Sequence, residues 1–344
     1  MVVAFDARPL KPRTRHWGVG VVIDNVVSRL NGRFSLVGVS HRFQGAVEQG
    51  LRTWPRVPKT NFLFFEASTF MAGDFDVYWG TNHFLPASCR QPSVVTVHDL
   101  LLLKYPNEQP HTGLLAWRLA SSVKRADRIL ADSRTTADDL IAAFPEVRHK
   151  VGVATLGFES FDGSAAAAEP ADEPYVVMLG AHRPRKNLAL AAGVVQKLAE
   201  KGVRLRLILT GDAHPCFSDV LRTNSQLIHA TGVLPKRQVL DLLRGARAML
   251  FPSRYEGFGF PVLEGMAAGC PVLALDTPIN REIAGGAAWL LPEGVEVWAE
   301  AIQRLLRSES LRHEMLEKGV ENLKRFSWDR TAEAYADTFA RLCG

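Results

Sequence analysis

The chain of 344 residues has no run approaching the ~20 uninterrupted apolar residues that a membrane-crossing helix requires. Its cysteines, Cys89, Cys216, Cys270 and Cys343, stand far apart and form no CxxC pair. That spacing excludes a disulfide framework and a zinc site built on paired cysteines. No export signal is expected either, because MVVAFDARPL passes from an apolar strand straight to a charge, without a basic leader or a cleavage site. The expectation is a soluble, cytoplasmic protein. No repeat of solenoid period is present, and no low-complexity tract beyond one alanine-rich segment.

What the chain does contain is a long alternation of two patterns. Short runs of Val, Ile, Leu and Phe alternate with helix-period segments, as in parallel sheets with crossover helices. Against the usual ~100 to 200 residues per domain, the length leaves room for two α/β domains. In the first half the pattern predicts strands near Val2 to Phe5, Ser35 to Val39, Asp76 to Trp79, Val94 to His98, Arg128 to Ala131 and Val151 to Ala154. A helix follows Ala131, opening at Asp132 or Ser133, either a good N-cap. From Glu159 to Pro174 periodicity is lost and Pro, Ala and acids collect, which predicts a linker. The expected domains are therefore residues 1–158 and 175–327, with a helix over 328–344 crossing back onto the first. In the second half, strands are expected at Tyr175 to Leu179, Leu205 to Thr210, Ala248 to Phe251 and Pro271 to Leu275, and helices at Asn187 to Glu200 and Pro261 to Ala268.

The net charge of +5 is unevenly placed: residues 1–160 hold 19 Lys+Arg against 14 Asp+Glu, and residues 161–344 hold 22 against 22. The basic half could attract an anionic acceptor or an anionic lipid surface. A merely solvated basic face is the competing reading.

The most informative stretch is PSRYEGFGFPVLEGMAAGCPV, Pro252 to Val272, which reads as strand, glycine-rich turn, helix, turn, strand. Pro261 suits a first helical turn, and Gly257 and Gly259 before it allow close backbone approach to a ligand. The amides of Phe258, Gly259 and Phe260 then form a candidate phosphate site at the positive end of the helix dipole. Glu256 lies in the turn, and Glu264 about one turn inside the helix, with seven residues between them. Glu264 could accept hydrogen bonds from a ribose diol, or could be an ordinary exposed helix acid.

EGFGFPVLEGMAAGCPV resembles the Glu-x7-Glu signature of the family 4 glycosyltransferases, the large retaining group with the GT-B fold of two Rossmann-like domains facing a central cleft. The resemblance extends to LGAHRPRKNL at Leu179, VTVHDLLLLKYP at Val94, ADRILADSRTTADDL at Ala126, and the opening FDARPL with its later GVG. It implies an α/β GT-B fold, with an acceptor-binding first domain and a second domain that binds a nucleoside diphosphate sugar. It implies that Glu256 contacts donor-sugar hydroxyls, that Glu264 binds the ribose, and that Lys186 holds the donor diphosphate. Many members carry an Arg immediately after the strand's Gly, where this chain has Ala181, so Arg183 or Arg185 is left to supply a second basic contact. His98 is implied to lie near the transferred sugar, offering a hydrogen bond or its backbone carbonyl; for the residues alone, a structural histidine is the alternative. Gly18 and Gly20 in HWGVGVV would let a helix approach the diphosphate or acceptor, or would simply open that helix. GVLPKRQVLDLL resembles the loop that pairs the base with backbone groups near Val233 and Leu234.

The reaction implied is hexose transfer to an acceptor hydroxyl with retained configuration, by front-face attack with the leaving diphosphate as base. The PRKN form of the phosphate loop is similar to that of bacterial mannosyltransferases of polysaccharide assembly, so mannose is the first donor sugar to test. The implied partners are the sugar-nucleotide donor and a saccharide or lipid-linked acceptor, with peripheral membrane contact through the basic half and no nucleic acid. Such a scheme needs no metal and no cofactor; Asp74-x-Asp76 precedes a first-domain strand and lacks donor phosphates beside it. The competing functions are a sugar-nucleotide epimerase or hydrolase of the same fold, an NAD-dependent oxidoreductase, and a silent binding protein. The broken glycine fingerprint opposes the oxidoreductase.

Overall fold

A computed structural model describes residues 1–10, 18–39, 52–53, 75–86, 89–108, 111–159, 173–180, 183–212 and 214–343. The chain divides into two compact units, Met1–Gly157 with Phe326–Gly344, and Phe158–Arg325. Most of the alanine-rich linker, and with it Ala181 and Asp74, lies outside the described residues.

The first unit runs β1 (Val2–Asp6), α1 (Val19–Leu30), β2 (Ser35–Val39), β3 (Arg52–Thr53), β4 (Val77–Gly80), β5 (Ser93–Val97), α2 (Leu101–Lys104), α3 (Thr112–Arg125), β6 (Arg128–Ala131), α4 (Arg134–Ala143) and β7 (Val151–Val153). The second runs β8 (Tyr175–Leu179), α5 (Leu188–Glu200), β9 (Arg206–Thr210), α6 (Ser218–Thr223), β10 (Ile228–Ala230), α7 (Lys236–Gly245), β11 (Ala248–Phe251), α8 (Phe260–Ala267), β12 (Val272–Leu275), α9 (Pro278–Ala284), β13 (Trp289–Leu291), α10 (Val295–Arg307) and α11 (Glu309–Leu323). The last helix, α12 (Trp328–Cys343), belongs to the first unit.

Every pairing between these strands is parallel. The seven-stranded sheet has the order β3-β2-β1-β4-β5-β6-β7, and the six-stranded sheet the order β10-β9-β8-β11-β12-β13. Helices cover both faces of such sheets, which is why the central strands, such as Tyr175–Leu179 and Ala248–Phe251, are buried along their whole length. In both sheets the direction of winding reverses between the first and fourth strands of the unit, β1 and β4 in one and β8 and β11 in the other. Open α/β sheets bind ligands beyond the carboxyl ends of the strands at such a reversal.

α12 is fastened to the first sheet by aromatic packing and by a buried hydroxyl pair. Tyr335 and Phe339 stack against Trp79 at 4.8 and 5.8 Å between ring centroids. Trp79 Nε1 donates to Thr96 Oγ1 at 2.9 Å, and the Tyr335 hydroxyl shares a 2.8 Å hydrogen bond with the same oxygen. A fully buried ring such as Phe339 contributes roughly 1.5–3 kcal/mol. At Gly157 a Cβ would sit 2.2 Å from the Trp328 backbone nitrogen, so only glycine lets the chain pass there.

The observed elements differ from the sequence reading mainly at edges. The two- and three-residue strands β3, β10 and β13 were not expected; β10 is exposed at His229 and Ala230 and carries no alternating run to betray it. α8 starts at Phe260 with Gly259 as its N-cap, one residue before the expected Pro261. β5 ends at Val97, so His98 lies just past the strand.

Candidate active site

In the second unit, Lys186 and Glu256 come from the segments that follow β8 and β11, one from each side of the reversal. Lys186 Nζ donates to Glu256 Oε1 at 2.5 Å, and the Ser253 hydroxyl donates to the same oxygen at 2.6 Å. Both partners of the ion pair are nearly buried, with side-chain exposures of 9% and 13%. Burial works against ionisation of Glu256, but the Lys186 ammonium, the Ser253 hydroxyl and the Arg185 guanidinium outweigh it and hold the carboxyl below its ordinary range. The ammonium also lies 5.5 Å from the centre of the Phe251 ring at the end of β11. Arg185 is fixed through its backbone, where its carbonyl accepts the Arg254 amide at 2.9 Å.

Glu264 is the contrasting acid. It sits on α8, partly buried, with no hydrogen bond or ion pair to any other described side chain. Burial pushes its carboxyl up, and the more distant Lys236 and Lys186 only partly oppose this. An acid kept off water and away from a fixed partner is poised to take one from a ligand.

The helix start beside it is built from a left-handed Gly259, at φ 103°, where any side chain would strain the backbone. The Val262 amide turns back to the Gly259 carbonyl at 3.0 Å, and the glycine at the N-cap has no side chain with which to cap this end. Phe258 and Phe260 flank the turn with their rings 5.0 Å apart. Inside the helix, Gly265 lets α8 close onto the sheet, since a Cβ there would meet Val272 at 2.7 Å.

Val233 is exposed and Leu234 partly buried, between Gly232 and the start of α7. The Gly211 amide donates to the Gly232 carbonyl at 2.7 Å and ties this loop to the end of β9. Arg183 and Arg185 bracket the short turn that leads to Lys186.

His98 belongs to the first unit. Its Nδ1 lies 2.6 Å from Asp132 Oδ2 and its Nε2 lies 2.8 Å from the Thr81 carbonyl oxygen. Ser133 rather than Asp132 caps α4, accepting the Thr136 amide at 3.0 Å, which releases Asp132 for the imidazole. With both ring nitrogens engaged and 6% exposure, His98 keeps only its backbone carbonyl to offer. Asp99 accepts the Leu101 amide at 2.9 Å and orders the turn into α2. Gly18 is the N-cap of α1, at φ 42°, and Gly20 is buried in the first turn of that helix. Asp76 is engaged in the fold, taking the Val2 amide at 2.8 Å. Among the described residues no group of three or more His, Cys, Asp or Glu side chains is arranged to hold a metal.

Sequence reasoning missed Ser253, Asp132, Thr81 and a surface cluster in which Arg254 pairs with Glu293 at 2.5 Å and Asn187 donates to the same carboxylate at 3.2 Å. Ser253 is three residues before Glu256, a spacing that suits a turn in which one side chain reaches the next.

The family model of glycosyl transferases group 1 matches residues 162–322, almost the whole of the second unit. O-antigen chain mannosyltransferase B of Escherichia coli is 28% identical over 282 residues, covering 75% of this chain and 74% of that protein. The chain is a glycosyltransferase. Its fold is GT-B: the sucrose-phosphate synthase of Thermosynechococcus elongatus superposes with a TM-score of 0.74 at 16% identity, covering 99% of this chain and 98% of that one. The Anabaena protein HepE, in complex with UDP and glucose, superposes with a TM-score of 0.72 at 17% identity over 98% of this glycosyltransferase and 99% of HepE.

Proposed function

We propose that this glycosyltransferase is a retaining hexosyltransferase of the family 4 type, which moves mannose from a nucleoside diphosphate sugar to a saccharide or lipid-linked acceptor in bacterial polysaccharide or glycolipid assembly. The observation that carries the reading is the Lys186–Glu256 pair at the strand reversal, beside a partly buried Glu264 that has no partner among the described side chains. The similarity to the Escherichia coli mannosyltransferase supports mannose as the first sugar to test.

In this reading Lys186, with Arg183 or Arg185, stabilises charge on the departing diphosphate, and the Phe258, Gly259 and Phe260 turn holds a phosphate. Charge-assisted contacts of this type are worth about 1.5–3 kcal/mol each. Glu256 orients the sugar through its hydroxyls, and Glu264 takes the ribose diol. Val233 and Leu234 border the base, Gly18 and Gly20 allow close approach at α1, and His98 offers its backbone carbonyl to the transferred sugar. The diphosphate oxygen accepts the acceptor proton as the new bond forms on the same face, so neither metal nor cofactor is called for.

A panel of nucleoside diphosphate sugars, with released nucleotide measured and the product's anomeric configuration read by NMR, tests the proposal. An inverted product sinks the retaining mechanism, and consumption of donor at an unchanged rate without any acceptor favours a hydrolase.

Peripheral contact with an anionic bilayer is part of the same proposal. α3 carries Arg118, Lys124 and Arg125 with no acid, and exposes Leu114 and Trp117 three residues apart, at 39% and 66%. Trp at a basic helix surface suits the membrane interface. Co-sedimentation with phosphatidylglycerol vesicles is expected to fall when Leu114 and Trp117 are both changed to Gln; binding that persists unchanged removes this face from the proposal.

A further inference from the structure

The first sheet has the same strand order about its reversal as the second, and the residues that follow the paired strands can be compared directly. In the second sheet the segment after β11 supplies Glu256. In the first, the corresponding segment after β4 supplies Thr81 and His83. Thr81 ties the two sides of this reversal together, its hydroxyl donating to the Asp6 carbonyl at the end of β1 at 2.6 Å.

His83 is held there under strain. Its backbone is left-handed, at φ 63°, a conformation that costs a non-glycine residue roughly 1 kcal/mol. Its amide donates to the Thr96 carbonyl at 2.9 Å, and its ring meets that of His98 edge to face at 5.4 Å. Nδ1 is buried and has no hydrogen-bond partner among the described residues. A buried polar atom without a partner and a strained backbone at one residue are features that concentrate at functional sites.

The neighbouring His98 is fixed in a different state by its partners. A carbonyl only accepts, so Nε2 facing Thr81 carries a proton; Nδ1 facing the Asp132 carboxylate carries the other. His98 is thus an imidazolium, and its raised proton affinity follows although burial opposes it, through the Asp132 charge, the Asp132 hydrogen bond and the Thr81 carbonyl. Burial and that adjacent cation push His83 the other way, down to about 3. Among the described residues, the charged and titratable groups facing His83 are His98 after β5 and Asp132 after β6, while Arg118 of α3 lies over the ring of the adjacent Phe84 at 4.7 Å. Two touching titratable groups driven to opposite states mark a division of roles.

We infer that His83 is a substrate-contacting residue of the transfer reaction, hydrogen bonding a sugar hydroxyl at the reversal of the first sheet, and that Asp132 is a positioning residue acting through His98. The inference deepens the transfer reading and rests on it for the identity of the substrate. His98, whose nitrogens are both spent, supports the ring of His83, and His83 makes the contact.

Nitrogen-15 NMR of the full-length protein with labelled histidine provides a readout that needs no turnover. At pH 7 we expect two protonated nitrogens on His98 and one on His83, and loss of the second His98 proton in Asp132→Asn. Addition of methyl α-D-mannopyranoside is expected to move the His83 resonances; signals that stay in place overturn the contact whether or not any donor is consumed. In the donor assay, His83→Phe should lower turnover about tenfold or more, the loss of a good hydrogen bond. His83→Asn, which tolerates the left-handed backbone and retains a hydrogen-bonding group, should recover a substantial part. Wild-type turnover in a folded His83→Phe variant overturns the inference, as does a singly protonated His98 in the wild type. Failure of the wild-type protein on every donor counts against the transfer reading instead, and leaves the NMR result to decide the role of His83.

Discussion

The two sheets share a strand order and a point of reversal, but they fill that point with different chemistry. Beyond the second sheet stands an ion pair, Lys186 with Glu256, next to an acid, Glu264, that has no partner among the described side chains. Beyond the first stands a buried cation, His98 with Asp132, whose hydrogen bonds are all internal, next to a neutral His83. The second arrangement presents charge for a charged ligand to compete for. The first presents a neutral group over an imidazole whose two nitrogens are both hydrogen bonded, which suits hydroxyls rather than phosphates.

The largest effect that would sharpen this comparison comes from Lys186. Lys186→Ala should lower turnover by about ten- to a hundredfold, the value of one or two charge-assisted contacts. It should also destabilise the protein by about 3–5 kcal/mol, because Glu256 is left buried without its cation. The double variant Lys186→Met with Glu256→Gln should recover most of that stability and none of the activity. Calorimetry and donor turnover on the three proteins separate the structural from the chemical role, and a double variant that regains activity breaks the assignment.

Glu264 should behave in the opposite sense. Its burial raises the carboxyl's proton affinity, so the charged form is a cost that Glu264→Gln removes. The variant is expected to melt about 2–4 °C higher, a change of roughly 1 kcal/mol in a protein of this size, while its affinity for nucleoside diphosphate falls about tenfold. Stability and affinity that decline together would instead make Glu264 a structural acid.

In the first sheet the test is pH. The His83 imidazole has a folded value near 3 against an ordinary 6.5, so on acidification the unfolded chain takes up a proton that the folded chain refuses. Stability is therefore lost as pH falls from about 6.5 toward 3, and His83→Asn should flatten that slope. His98 has the opposite sign: its value is raised, so its contribution is complete below the ordinary histidine value and disappears as pH climbs through the folded one. Asp132→Asn should abolish that alkaline loss. Chemical denaturation at a series of pH values reads both slopes, and parallel slopes in wild type and variants would contradict the opposed states of the two rings.

The sequence made the second site far more legible than the first. Glu256, Glu264 and Lys186 lie in continuous motifs whose glycines and proline announce the turn, so they stand out as candidates along the chain, with their roles implied by the family resemblance. The first site is assembled from the ends of separate strands: Thr81, His83, His98 and Asp132 are brought together by sheet order, which no local pattern encodes. Asp132 and Ser133 were equal candidates to cap α4; only the geometry shows that Ser133 does so and frees Asp132. The parallel α/β architecture followed from apolar runs that need both faces covered, whereas β10 and β13, at three residues each, are too short to carry periodicity.

The smallest expected effect is that of a chelator. In the proposed reaction the charge that develops on the diphosphate is met by Lys186, by Arg183 or Arg185, and by the start of α8, all supplied by the second sheet itself. The first sheet contributes a neutral His83, and its Asp132 carboxylate is held to His98 through one oxygen, so the proposed reaction draws no divalent ion from it. Turnover in excess EDTA should therefore stay within about twofold of the untreated rate, less than the effect of a single lost hydrogen bond. Activity that vanished with EDTA and returned only with Mg or Mn would move the charge balance from side chains to metal, and would remove the reason for reading Lys186 as the group that carries the leaving diphosphate.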